Sequence, residues 1–265
     1  MKNSIFEKDL TESLQVERNG ALLIVRLTRP AKRNALNDPT ILGLEAIFTQ
    51  IPDDVGSVVL QGAGEHFCAG LDLAELSDRD VMAGVMHSRM WHRVFDQIQF
   101  GSVPVVAALH GAVIGGGLEL ACATHIRVAE PSTFYALPEG QRGIYVGGGA
   151  SVRLPKLIGV ARMMDMMLTG RVVRAEEGMQ IGLAQYLVGE GEGLSKAIEL
   201  ANKIASNTRT TNFALMHALP RIAEASQEQG LLMESLMAAI AQSSPEAKTR
   251  MQQFLAKKAP KVGEA

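Results

Sequence analysis

The stretch from Val103 to Gly149 constrains this chain most. It opens on an apolar run, Val103-Pro104-Val105-Val106-Ala107-Ala108-Leu109, and enters a glycine-rich turn, His110-Gly111-Ala112-Val113-Ile114-Gly115-Gly116-Gly117. Leu118-Glu119-Leu120-Ala121-Cys122 follows, then a short apolar segment into Leu137-Pro138-Glu139, and Gly147-Gly148-Gly149 closes the stretch. In physical terms this is a buried strand, a turn that exposes backbone N–H groups, and the start of a helix beneath it. Two carboxylates, Glu119 and Glu139, belong to the same stretch. Backbone donors beside two acids are what proton transfer next to a carbonyl requires.

The flanking chain supplies the scaffold. Leu14 to Glu17 and Ala21 to Leu27 are β-prone and flank Arg18-Asn19-Gly20, a strong hairpin signal. Asp38 as N-cap and Pro39 in first helical position start a helix that buries Ile41, Leu44, Ile47 and Phe48. Val55 to Leu60 reads as a buried strand. A helix is expected from about Arg79 to Gln99, with Val81, Val85, Met86, Met90, Val94 and Phe95 inward. Strands alternating with helices at this spacing imply β–α–β crossovers. Beyond Gly149 the pattern is helical, at Ser151 to Leu157, Ala161 to Leu168, Ala175 to Ile181 and Leu194 to Ser206. The last three helices are expected at Thr211 to Ala225, Gly230 to Gln242 and Pro245 to Lys257. The expected division is an α/β core over residues 1–190 and a helical subdomain over 191–265.

Composition narrows the function classes. The 265 residues are 47% hydrophobic and 20% charged, enough for a substantial core. A net charge of −2 provides no basic field for nucleic acid. No run reaches the roughly 18 apolar residues that span a bilayer, and the N-terminus lacks a signal-peptide pattern, so a cytoplasmic protein is expected. The two cysteines, Cys68 and Cys122, form no disulfide framework. The six histidines show no metal-ligand spacing, and neither glycine cluster satisfies the dinucleotide fingerprint GxGxxG.

Unpaired N–H groups at a helix start stabilise negative charge. Gly70-Leu71 and Gly115-Gly116 each sit where a strand hands over to a helix. Facing each other, they would grip one oxygen; taken singly, each reads first as a tight turn. Glu119 alone reads as a helix-start carboxylate, and Glu139 alone as a cap or loop acid. Together with two donor turns they point to general acid–base work.

Phe67-Cys68-Ala69-Gly70-Leu71-Asp72-Leu73, with His110 to Ala121 and Leu137-Pro138-Glu139, resembles the crotonase (enoyl-CoA hydratase/isomerase) superfamily. The likeness runs from the Arg29 loop to the C-terminal helices. It implies an α/β fold of repeated ββα units with a helical C-terminal region that packs trimers, often as dimers of trimers. It implies that Leu71 and Gly116 form the oxyanion hole for a thioester carbonyl. Glu119 would activate the water that attacks C3, and Glu139 would protonate C2, in a syn hydration of a 2-enoyl-CoA. The Lys32-Arg33-Asn34-Ala35-Leu36 loop matches the CoA-nucleotide segment, with Arg33 at phosphate and Ala35 and Ala69 offering backbone to adenine; Asp72 and Leu73 complete that set. Coenzyme A would be part of the substrate, with no separate cofactor. Relatives that isomerise, decarboxylate or hydrolyse often lack one of the two acids, so retention of both favours hydration over those alternatives.

The chain departs from the family at Val146, where proline is common, at Thr124-His125, where Cys-Asp is common, and at Gln141-Arg142, which is polar. These departures point to an acyl group other than a straight alkyl chain: aryl, branched or heteroatom-bearing. Trp91, His92 and Tyr145 are candidates to line its pocket. Trp91 and His92, taken by themselves, read first as core or subunit packing. A thiolate mechanism at Cys68 finds no His/Asn pairing beside it.

Overall fold

The computed structural model describes residues 11–72, 74 and 79–256. In chain order the elements are β1 (Leu14–Asn19), β2 (Leu22–Leu27), α1 (Asp38–Thr49), β3 (Ser57–Gly62), α2 (Val81–Gln99), β4 (Val105–Leu109), β5 (Ala112–Ile114), α3 (Gly116–Ala123), β6 (Ile126–Ala129) and β7 (Phe134–Ala136). There follow α4 (Ala150–Ile158), α5 (Val160–Thr169), β8 (Val173–Arg174), α6 (Ala175–Ile181), β9 (Tyr186–Leu187) and α7 (Gly193–Ala205). The chain then forms α8 (Arg209–Phe213), α9 (Leu219–Ile222), α10 (Gln227–Ser243) and α11 (Pro245–Leu255).

A six-stranded sheet runs β1-β2-β3-β4-β6-β9, and a three-stranded sheet runs β5-β7-β8. The hairpin turn forms as expected: Asn19 pairs with Leu22 and Gly20 takes a positive φ of 58°. From β2 onward the larger sheet is parallel. Such strands are buried on both faces and read as continuous apolar runs, which is why Val55 to Leu60 and Val103 to Leu109 were legible. The ordered strands are slightly shorter or shifted, at Ser57–Gly62 and Val105–Leu109.

Three expectations are corrected. The cap of α1 is Asn37, whose side chain accepts from Thr40 N at 3.1 Å, and the Asp38 side chain goes elsewhere. Val94 and Phe95 of α2 are buried and Met90 is half-buried, but Val81, Val85 and Met86 are exposed at 87%, 49% and 62%. Only the second half of α2 packs on the core; apolar spacing alone does not distinguish a core face from an exposed one. The single helix expected from Thr211 to Ala225 is divided into α8, a π-helical turn (Ala214–Ala218) and α9. Pro220 lacks the N–H that would continue the ladder.

The chain clusters into two compact units, residues 1–203 and 204–265. The first carries the sheets and the core. In the second, α10 leaves Leu231, Leu232, Leu236 and Ile240 exposed.

Candidate active site

Two bends meet at the edge of the first unit. Cys68 bridges in parallel to Val113, and Leu36 to Leu71. The first bridge brings the end of the Gly62–Leu71 segment against β5. Gly70 has φ 95°, and a Cβ there would lie 2.7 Å from Ile114 O and 3.1 Å from Gly116 N. A Cβ on Gly116 would lie 3.3 Å from Leu71 N. The backbones touch because neither glycine carries a side chain. Among the described residues, neither the Leu71 nor the Gly116 N–H has a hydrogen-bond acceptor. Two amides from distant segments thus converge at the start of α3.

Both acids stand beside them. Leu71, Gly116, Glu119 and Glu139 line one cavity of about 320 Å³ together with Trp91 and Tyr145. Glu119 is 4% exposed; its Oε1 accepts from Gly148 N at 2.8 Å and Ala150 N at 3.0 Å, leaving Oε2 outside those bonds. Burial raises the Glu119 carboxyl above the usual range; the amides at Ala150 and Gly148 and the Arg153 charge pull against that shift. Glu139 is 8% exposed, and its Oε2 has no hydrogen-bond partner. Its carboxyl is also raised, first by burial and further by the charge of Glu119. One acid is therefore fixed as an acceptor by two amides, while the other keeps Oε2 bare and sets its other oxygen, Oε1, over Gly115, where a Cβ would lie 2.5 Å from it.

Trp91 forms the wall between the glycine turns: its ring would lie 2.8 Å from a Cβ on Gly116 and 3.0 Å from one on Gly148. Tyr145 stands at the mouth, 70% exposed. His92 is corrected: it is not among the cavity-lining residues, and its Nε2 lies 3.4 Å from Ser88 Oγ. The α2 histidine that lines the cavity is His87, one turn earlier.

The Lys32–Leu36 loop lies against the Ala69–Asp72 segment through Ala69 N to Arg33 O, Leu36 N to Gly70 O and Asp72 N to Leu36 O. Lys32 and Arg33 are exposed, and Ala35 and Ala69 are half-buried. The Asp72 carboxylate is engaged by Arg29 at 2.7 Å, which holds its carboxyl below the usual range, so that side chain braces the loop from within. Leu73 lies outside the described residues.

Three residues of this region had no distinct sequence signal. Asn34, with φ 55°, pins the loop by donating to Ala63 O and His66 O and accepting from Arg29 N. Arg153, 8% exposed, donates to Gly148 O, Gln99 Oε1 and Asp96 Oδ1, so it holds the loop that in turn holds Glu119. Its only mark in the sequence is a charge between Val152 and Leu154. His87 was invisible because its partner, Asp38, is remote in the chain. Burial pushes the Cys68 thiol up to about 12, which leaves it inert as a nucleophile. Among the described residues no cluster of three metal-ligating side chains occurs, and no helix is long and apolar enough to cross a membrane.

Residues 17–265 match the family model described as enoyl-CoA hydratase/isomerase. The short-chain-enoyl-CoA hydratase of Clostridium acetobutylicum is 31% identical, over 92% of this chain and 94% of that protein. A crystal structure from Rhodopseudomonas palustris CGA009, provisionally named an enoyl-CoA hydratase, is 61% identical with a TM-score of 0.92, covering 93% of this chain and 96% of that one. The structure of enoyl-CoA hydratase from Bacillus anthracis is 31% identical with a TM-score of 0.88, covering 94% and 98%. With two converging amides, two buried acids over one cavity, and likeness along nearly the whole sequence, the chain belongs to the enoyl-CoA hydratase/isomerase family.

Proposed function

We propose that this protein is a hydro-lyase that adds water across the 2,3-double bond of a 2-enoyl-CoA thioester. The observation that carries this reading is the contrast between two buried carboxylates in one cavity: Glu119 held by two amides, Glu139 with an unpartnered oxygen. The thioester oxygen accepts from Leu71 N–H and Gly116 N–H. Glu119, ionised and anchored through Oε1, takes a proton from water as the water oxygen bonds to C3. The π electrons move to the thioester oxygen as an enolate, which the two amides stabilise by roughly 3 kcal/mol each. The enolate collapses as Glu139, protonated beforehand, delivers its proton to C2. Exchange with solvent then returns the proton from Glu119 and reloads Glu139. Delivery of water and proton to the same face of the double bond would make the addition syn.

Lys32 and Arg33, exposed cations on the loop, support a binding role toward CoA phosphates, with backbone of Ala35 and Ala69 beside the base. Coenzyme A is then part of the substrate, and no metal or redox cofactor enters the proposal. The exposed apolar face of α10 supports assembly as a trimer or dimer of trimers. Two buried free thiols suit a reducing, cytoplasmic setting.

The test is loss of the conjugated enoyl-thioester absorbance with purified protein, followed by product mass. A gain of one water supports hydration. Release of CoA, loss of CO2 or an unchanged mass assigns the same oxyanion grip to hydrolysis, decarboxylation or isomerisation.

A further inference from the structure

The outer half of the cavity is built differently from its reacting end. Gly84, His87, Ser88 and Trp91 all line it. They fall at i, i+3, i+4 and i+7 of α2, hence on one stripe, roughly 10 Å long at 1.5 Å per residue. Trp91 ends the stripe against Gly116. Toward the other end, His87 Nε2 holds Asp38 Oδ1 at 2.7 Å. Arg79, also on the wall, approaches the same carboxylate only to 3.6 Å, from Nη2 to Oδ2. Among the described residues that ion pair is the polar contact Arg79 makes, and it is longer than a hydrogen bond. The same cavity is also lined by Leu71, Ile144 and Tyr145. A cation tethered by one long ion pair, in a largely apolar wall, is placed to read a ligand. A Cβ on Gly84 would meet nothing within 4 Å, so this end of the stripe is uncrowded.

Resting on the hydratase reading, we infer that this end of the cavity selects acyl-CoA thioesters whose acyl tail ends in a carboxylate, with Arg79 as the specificity-determining residue and Asp38–His87 as its positioning pair. A guanidinium takes a carboxylate through two parallel N–H donors, a geometry a neutral tail cannot use. An alkyl terminus there would strip water from Arg79 and return nothing. With His87 holding Asp38, the tethering carboxylate stays in place while the far side of the guanidinium serves the tail.

The experiment titrates the intact protein calorimetrically with adipoyl-CoA and hexanoyl-CoA, saturated thioesters of equal length. In parallel it measures turnover of 2-hexenedioyl-CoA and 2-hexenoyl-CoA. Adipoyl-CoA is expected to bind about 10- to 100-fold tighter, the range of a charged hydrogen-bonded pair. Arg79→Gln should bring the ratio of the two affinities toward one, Arg79→Lys should retain part of it, and His92→Ala, outside the cavity, should leave it unchanged. In turnover the Arg79→Gln loss on the dicarboxylyl substrate should appear in KM rather than kcat. Equal binding of the two ligands by the parent protein, or an Arg79→Gln variant that weakens both alike, overturns the inference. The two arms fail separately: a tail preference without hydration of either enoyl thioester removes the hydratase reading alone, and hydration without preference removes the tail reading alone.

Discussion

The two ends of the cavity solve opposite problems with different materials. At the reacting end the donors are backbone amides of Leu71, Gly116, Gly148 and Ala150, presented by glycine turns and a helix start. At the tail end the polar groups are side chains, Arg79, Asp38 and His87, brought together from two segments remote in sequence. Backbone donors cannot swing, so they suit a charge that must be met at one point as it develops. Side chains can be exchanged one at a time, so they suit the part of the substrate that distinguishes one enzyme from another. Substitutions at the reacting end should therefore act on kcat and those at the tail end on KM.

The largest effect is expected at Glu119. Glu119→Gln keeps an oxygen for the Gly148 and Ala150 amides but removes the base, and kcat should fall about 1,000-fold. Steady-state kinetics check this, with KM expected to change little; a drop confined to KM would place Glu119 in binding instead. Next comes Gly115→Ala. Gly115 sits at φ 52°, ψ −122°, a conformation that strains any residue with a Cβ, and the new methyl would press on Glu139 Oε1. We expect about a 100-fold loss in kcat with 1–3 kcal/mol of destabilisation, read from turnover and denaturant melts.

These two positions also mark what sequence makes legible. Gly115 and Glu119 stand out in the sequence because their constraint is local: a turn that only glycine adopts, and an acid one turn into the helix after it. The parallel strands were found because burial on both faces writes a continuous apolar run. Arg153, Asn34 and His87 were not singled out as site residues because each acts on a partner that only the tertiary fold supplies. His92 adjoins Trp91 in sequence but is turned about 100° from it on the helix, whereas His87, four residues earlier, shares the Trp91 face and lines the cavity. The exposed first half of α2 misled for a related reason: Val81, Val85 and Met86 repeat at helical spacing although no core lies beneath them.

Glu139 tests whether the reacting end carries a thermodynamic penalty for its chemistry. Its carboxyl is raised by burial and by Glu119, so the folded chain holds that proton more tightly than the unfolded chain does. The stability this provides is fully present below the ordinary carboxylate pKa and is lost as pH rises through the raised value. Glu139→Gln is neutral throughout, so it should melt higher than the parent at neutral pH, by about 1 kcal/mol. The gap should close as pH falls below roughly 4. With Glu119 as base and Glu139 as acid, turnover should follow a bell, falling on the acid side as Glu119 takes a proton and on the basic side as Glu139 loses one. The two limbs belong to the pair and lie above the ordinary carboxylate range. Thermal melts and pH–rate profiles of the parent and the variant check both statements.

The smallest effect should come from Gly84, and it sharpens the contrast between the ends. Gly84 is inside α2, exposed, and without a positive φ, so no backbone requirement demands glycine there. A methyl would meet nothing within 4 Å, whereas one at Gly116 would meet the Trp91 ring at 2.8 Å. Gly84→Ala should stabilise the protein by about 0.5–1 kcal/mol, the ordinary gain from replacing helical glycine. Because Gly84 lines the tail end, the methyl should also narrow the space open to the acyl group, raising KM a few-fold for bulky tails and leaving short ones alone. Thermal melts with an acyl-chain series measure both. A gain in stability with no change across the series would show that tails stop short of Gly84, and that the selecting length of the stripe begins at His87.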